Sequence, residues 1–193
     1  MQKHLLEREF AQHCAPALCG LKPANLVSLS RQMFPALDSL LAGCQAALQR
    51  LGLCLEVVCS CAGWDLVLVY QPRLLAWQLG QKPVRRLLQK QGYPAAGSIQ
   101  QQIHHLGQRL AMQQDFPHEI GLFLGYPVGD VLEFQRNRGK GCKLCGYWKV
   151  YGDVETAQAC FAQFDACRAA LLQGLRSGKP LAQVVETYRT HTA

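Results

Sequence analysis

Near its N-terminus the chain sets an imidazole beside a thiol, His13-Cys14-Ala15-Pro16, and a cation eight residues past the thiol, in Gly20-Leu21-Lys22-Pro23-Ala24-Asn25-Leu26. A cysteine near cations can ionise at neutral pH, and a thiolate is both a nucleophile and a metal ligand. Adjacent side chains of an extended segment point to opposite faces, so a partner for Cys14 has to come through a turn or from a distant histidine. His118 is such a histidine, followed by Glu119, which could orient it. The competing reading of Cys14 is a small buried hydrophobe wedged beneath the prolines.

A second place for chemistry is Cys142-Lys143-Leu144-Cys145, two thiols three apart in a glycine-flanked loop. Such a pair reaches one metal or closes a redox disulfide. A structural zinc site needs four ligands, and no second close pair is available except Cys59-Ser60-Cys61, which alternates along an expected strand. A thioredoxin-like pair sits at the start of a helix after a strand, whereas this one precedes a strand. The third place is Arg138-Gly139-Lys140-Gly141 with Tyr147-Trp148-Lys149. Small residues allow close backbone approach to phosphates, the cations supply charge, and Trp148 can stack on a planar ring. Lys22 joins Arg138, Lys140, Trp148 and Lys149 as an expected contact to a cofactor. The spacing is not that of a P-loop, and a basic hairpin turn anchored by Trp148 is the alternative.

The 193 residues are 49% hydrophobic and 17% charged, enough to bury a core, and one domain is expected, with its core over about 10–176 and a short tail helix in 179–193. The ten cysteines have no charged-then-apolar leader before them, so reduced thiols and a cytoplasmic location are expected. Cys44, Cys160 and Cys167 fall where a helix repeat wants an apolar side chain. No apolar run approaches the roughly 20 residues of a membrane-spanning helix. The formal net charge is +7, and five cations with no acid stand between Arg136 and Lys149. That patch invites an anionic partner, either a small ligand or an acidic protein. Nucleic acid is a weaker fit, because the chain lacks a recognisable reading helix or a repeated basic-aromatic pattern.

The elements that must position these residues follow from periodicity. Leu26 through Leu51 recurs at three- and four-residue spacing and predicts a long helix, kinked near Pro35. Leu53–Ser60 and Asp65–Tyr70 read as a hairpin about Ala62-Gly63. Pro72 and Pro83 each open a helix, and Ser98 with Gln101 makes a capping box for the next. His118–Pro127 reads as a strand entering a proline turn, echoing Leu66–Pro72, and Asp130 begins a short helix. Gly146–Tyr151 is the last expected strand, and Asp153 caps a long helix closed by Ser177-Gly178. These elements predict an α+β fold, with about four strands in a mainly antiparallel sheet covered by several helices.

The segments His13–Leu26, Phe116–Pro127 with Asp130-Val131, and Gly146–Asp153 closely resemble the DUF3793 family of anaerobic bacteria, over roughly residues 10–175. The resemblance implies a stand-alone cytosolic protein of anaerobes, often encoded near flavodoxin-like genes, and hence a redox or iron-linked role. It carries no assigned catalytic residues. The expectation is a protein that binds a small redox cofactor or metallo-cofactor, with Cys14 as thiolate ligand or nucleophile. The alternative is an adaptor whose basic loop docks an acidic electron-transfer protein such as a flavodoxin.

Overall fold

The computed structural model describes residues 2–61, 63–94, 97–112 and 116–192. At its centre is a three-stranded antiparallel sheet of order β1-β3-β2, made by β1 (Ala24–Ser30), β2 (Cys54–Cys61) and β3 (Trp64–Tyr70). The last two form the hairpin expected from their β-branched, alternating sequence; Ala62, half of its anticipated turn, lies outside the described residues. A bulge at Val57/Cys59 shifts the register of β2. The central strand, β3, is buried on both faces, which accounts for its unbroken run Leu66-Val67-Leu68-Val69-Tyr70.

Helices cover both faces. Helices α1 (Gln2–Leu18), α2 (Leu37–Gln49), α8 (Val154–Arg176) and α9 (Leu181–Thr192) share one core with Val27, Leu29, Val67 and Val69. Helices α3 (Pro72–Gly80), α4 (Lys82–Lys90), α5 (Ile99–Met112), α6 (Ile120–Phe123) and α7 (Val128–Arg136) share the other with Ala24, Leu68 and Tyr70. A two-stranded hairpin, β4 (Leu144–Cys145) and β5 (Lys149–Val150), lies between α7 and α8 in the chain. The fold is α+β, as the sequence predicts.

Three expected elements are different. The long helix over Leu26–Leu51 is instead β1 followed by a turn and α2. Leu26 and Leu29 fit a helix repeat, but Leu18 is already the end of α1, and Pro23 leaves the chain extended as it enters Ala24–Ser30. The expected strand at His118–Pro127 contains the one-turn helix α6, so the likeness to Leu66–Pro72 is not a repeated unit. Helical winding lets Gly121 pack where a Cβ would lie 2.9 Å from Val131 and 3.0 Å from Tyr126. The last strand, anticipated over Gly146–Tyr151, is only Lys149–Val150.

Helix α1 ends unusually, and its end shapes the loop that follows. Pro16 inside the helix lacks an amide donor. Ala17 N–H leaves the helix and donates to the buried Asn25 Oδ1 at 3.0 Å. Gly20, at φ +81°, then closes a Schellman motif in which Leu21 N–H donates to Pro16 O and Gly20 N–H to Ala17 O. The local signals were sound elsewhere: Ser98 and Gln101 exchange both bonds of a capping box, and Asp153 accepts from Thr156 N–H at the start of α8.

Gly107 is where α5 meets β2, and a Cβ there would stand 2.5 Å from the backbone oxygen of Val58. Alanine favours a helix interior by roughly 1 kcal/mol, but here it must push α5 off the sheet. Gly107→Ala is expected to destabilise the fold by about 1–3 kcal/mol in urea unfolding.

Candidate functional site

The residues singled out by the sequence divide among separate surroundings. His13 and Cys14 belong to α1, not to an extended segment, so they are about 100° apart around the helix. His13 faces solvent and lies 3.5 Å from Glu9. Cys14 is fully buried among the apolar side chains of α1, α2 and α8, and burial drives its thiol well above the ordinary range despite the opposing charge of Lys22. An activated thiolate at Cys14 therefore has no physical support, and the reading of a buried cysteine applies.

Glu119 lies across the sheet from Cys14. Its carboxylate accepts from the Arg109 guanidinium and from Tyr93 OH at 3.2 Å, in the core that α3–α7 share. It is a structural ion pair rather than an orienter of His118. His118 is exposed and packs edge-on against Phe134 at 5.0 Å. The structure does not bring Cys14, His13, His118 and Glu119 together.

Lys22 is different. It is only 6% exposed, in the loop between α1 and β1, and its ammonium takes no hydrogen bond or ion pair from the described residues. Aromatic faces surround it instead: Nζ is 5.0 Å from the centre of the Tyr126 ring and 5.9 Å from that of Phe164. Burial lowers its pKa from 10.5 to about 8. The loop is held by close backbone approach, because Gly125, at φ +76°, leaves room for Pro23, whose Cδ would be 2.6 Å from a Cβ there.

Lys22 lines a cleft of about 540 Å³ whose walls include Trp77, Tyr126, Trp148 and Phe164. That volume suits a small organic molecule. Three of the motifs that carry the family resemblance converge here: the Lys22-Pro23 loop, the Gly125-Tyr126-Pro127 turn with Asp130, and the segment from Trp148 to Asp153. Asp130 joins the last two, accepting from Trp148 Nε1 at 2.7 Å, Tyr151 N–H at 2.9 Å and Gly152 N–H at 2.8 Å. Asp153 is likewise committed, to Thr156 N–H and Oγ1. Of the charged groups lining the cleft, Lys22 alone has its hydrogen bonds unspent.

The DUF3793 family, described as a protein of unknown function, matches over residues 10–185. The chain belongs to the DUF3793 family. No curated protein and no solved structure matches it.

The basic loop is only partly free. Arg136 pairs with Glu133 at 2.7 Å, Lys143 Nζ donates to Gly152 O, and Lys149 Nζ donates to Gly139 O. Arg138 and Lys140 are exposed and unpaired among the described residues. Neither lines the Lys22 cleft, so of the cofactor contacts expected from sequence, Lys22 and Trp148 meet there and Arg138, Lys140 and Lys149 do not. Cys142 and Cys145 are together, their sulfurs 3.1 Å apart. No group of three or more metal-ligating side chains occurs among the described residues, so a metal held here has two ligands from this chain. Sequence reasoning missed Tyr126, Phe164 and Trp77, whose place in the cleft depends on contacts remote in sequence. It passed over Asp130, although a carboxylate inside a shared motif was a usable signal.

Iodoacetamide at pH 7 is expected to modify Cys61 and Cys145, both exposed, well before Cys14; timed quenching and peptide mass spectrometry gives the order. Asp130→Ala leaves three donors unpartnered and is expected to cost about 2–4 kcal/mol, with a red shift of tryptophan fluorescence as Trp148 is released.

Proposed function

We propose that the Lys22 cleft binds a small, planar, anionic molecule, in the chemical class of a flavin or nucleotide-like redox cofactor. One observation carries this reading: Lys22, 6% exposed and with no ion pair among the described residues, turns its ammonium to a cleft with aromatic walls. An anion entering the cleft supplies the missing counter-charge, and Trp77, exposed at the rim, offers flat apolar surface to a ring. Ten cysteines, all free in the fold, suit a reducing cytoplasm and an anaerobic, redox-linked role. Cys14 takes no part in this reading.

A second reading, an adaptor for an acidic flavodoxin-like protein, is favoured by Arg138 and Lys140, which project unpaired from the basic loop. Charge reversal at both is expected to weaken such an association several-fold and to abolish its salt dependence. An association unaffected by the substitutions excludes docking through this loop.

The binding reading is tested by titrating the protein with flavin mononucleotide and, as a general planar anion, with 8-anilinonaphthalene-1-sulfonate. Tryptophan quenching that Lys22→Met weakens at least tenfold supports it; absence of saturable binding by either probe overturns it. Affinity is expected to fall as pH rises through about 8, where Lys22 loses its proton.

The same lysine leaves a mark on stability. Its pKa is 10.5 when unperturbed and about 8 in the fold, so between those values the unfolded chain holds the extra proton. The Lys22 contribution is unfavourable below pH 8 and vanishes as pH rises to 10.5, so stability gains with pH across that window. Lys22→Met is expected to remove this slope and to stabilise the ligand-free protein by about 2–3 kcal/mol at pH 7. Urea unfolding of both proteins across pH 7–10.5 measures it.

A further inference from the structure

Beside the Lys22 cleft, beyond the wall formed by Tyr126 and Trp148, is a second pocket of about 370 Å³. Its lining is mostly apolar and includes Phe116, Val131 and Phe134, and Cys145, His118 and Lys149 also line it. Cys145 is exposed, in β4, and Cys142 is half-buried just before that strand. Their sulfurs are 3.1 Å apart, about 1 Å more than a disulfide bond.

We propose that Cys142 and Cys145 form a dithiol–disulfide exchange site whose co-reactant is a low-molecular-weight organic disulfide seated by an apolar or aromatic group in the adjoining pocket. This does not rest on ligand binding at Lys22. Cys145, exposed at the pocket, is the attacking sulfur. Its thiolate attacks one sulfur of R–S–S–R, the S–S bond breaks, and one RS⁻ leaves and takes a proton from water. Cys142, as thiolate, then attacks Cys145 in the mixed disulfide and expels the second RS⁻. The protein dithiol is oxidised to a disulfide and the organic disulfide is reduced to two thiols, with two electrons transferred and the two thiol protons balanced by the two thiols formed.

The surroundings suit each step. Cys145 pairs with Lys149 in the β4–β5 register, and both line the pocket, so the sulfur stands at the mouth of a site that also carries a cation. Exposure sets the order: Cys145 is open to the pocket, whereas Cys142 is half-buried behind it and within reach for the second attack. Gly141, at φ +70°, sits next to Cys142 with open space around its Cα, which gives the loop freedom for the small approach the bond requires. The pocket places apolar surface at Cys145, which favours a disulfide with an apolar or aromatic substituent over a small polar one.

The test equilibrates reduced full-length protein, without oxygen, in buffers of graded reduced to oxidised glutathione. Acid quenching, alkylation and peptide mass spectrometry then follow Cys142 and Cys145. The expected result is one two-electron transition in which both lose alkylation together and a Cys142–Cys145 disulfide appears. In Cys142→Ser the reaction stops as a glutathione adduct on Cys145, and in Cys145→Ser the adduct on Cys142 forms at least tenfold more slowly. Both sulfurs alkylatable at every ratio, or separate adducts with no internal disulfide in the unsubstituted protein, overturns the proposal. The pocket is tested with 5,5′-dithiobis(2-nitrobenzoate) and bis(2-hydroxyethyl) disulfide on protein and on Phe134→Ala. A several-fold slower reaction of Cys145 with the aromatic disulfide alone supports the seat; equal effects on both reagents, or none, overturns it. Circular dichroism confirms that each variant is folded.

Discussion

Asp130 accepts three hydrogen bonds from a segment more than fifteen residues away, and that one carboxylate fixes the wall shared by the two neighbouring pockets. From the first turn of α7 it holds the indole of Trp148 and the amides of Tyr151 and Gly152, which lead into α8. Being buried, the carboxylate needs those donors as much as they need it. The hairpin between α7 and α8 has only two-residue strands and little core of its own, so without this attachment its position is weakly determined. With it, Trp148 stacks on Tyr126 and packs edge-on against Phe161 at 4.6 Å. That aromatic group forms the wall between the two pockets.

The sheet imposes the complementary separation. Side chains alternate along β1 and β3, so Val27, Leu29, Val67 and Val69 enter one core and Ala24, Leu68 and Tyr70 the other. Cys14 belongs to the first and the Glu119 ion pair to the second, and no rearrangement short of unfolding brings them together. The Lys22 cleft escapes the division because it lies beyond the start of β1. There the N-terminal half of α8, the end of α3 and the turn before α7 all contribute walls.

What could be read from sequence follows the range of the interactions. The β2–β3 hairpin, the Ser98–Gln101 capping box and the Asp153 cap are decided by neighbours within a few residues, and their sequence signals held. Leu26 and Leu29, three apart, fit a helix repeat but fall on opposite faces of β1 and enter different cores, and the packing of β1 against α1 and β3 selects the strand. The apolar run Ile120-Gly121-Leu122-Phe123 suits a buried strand or helix equally; the choice falls to Gly121, packed against Tyr126 and Val131. The prominence of His13-Cys14 misled because adjacency in sequence separates side chains in a helix. The importance of Lys22 was legible only as a charge within a motif, since its burial is made by Tyr126 and Phe164, about 100 and 140 residues away.

The energetic standing of Lys22 is the remaining asymmetry. Three other buried charges are compensated within the fold: Asp65 has Arg31 at 2.7 and 3.1 Å, Glu119 has Arg109 and Tyr93, and Asp130 has its three donors, whereas Glu7, 8% exposed, has no ion pair among the described residues. Lys22 has ring faces at 5.0 and 5.9 Å, and cation–π attraction of about 1–2 kcal/mol offsets only part of the cost of removing an ammonium from water. A methionine would fill the same space without that cost. The stem of Lys22 packs as an apolar side chain does, but its charge has no ion pair among the described residues and opens onto the cleft. An anion of the class proposed for the cleft would meet an ammonium already held in place by the fold, so its charge-assisted contact would cost little further ordering of the protein.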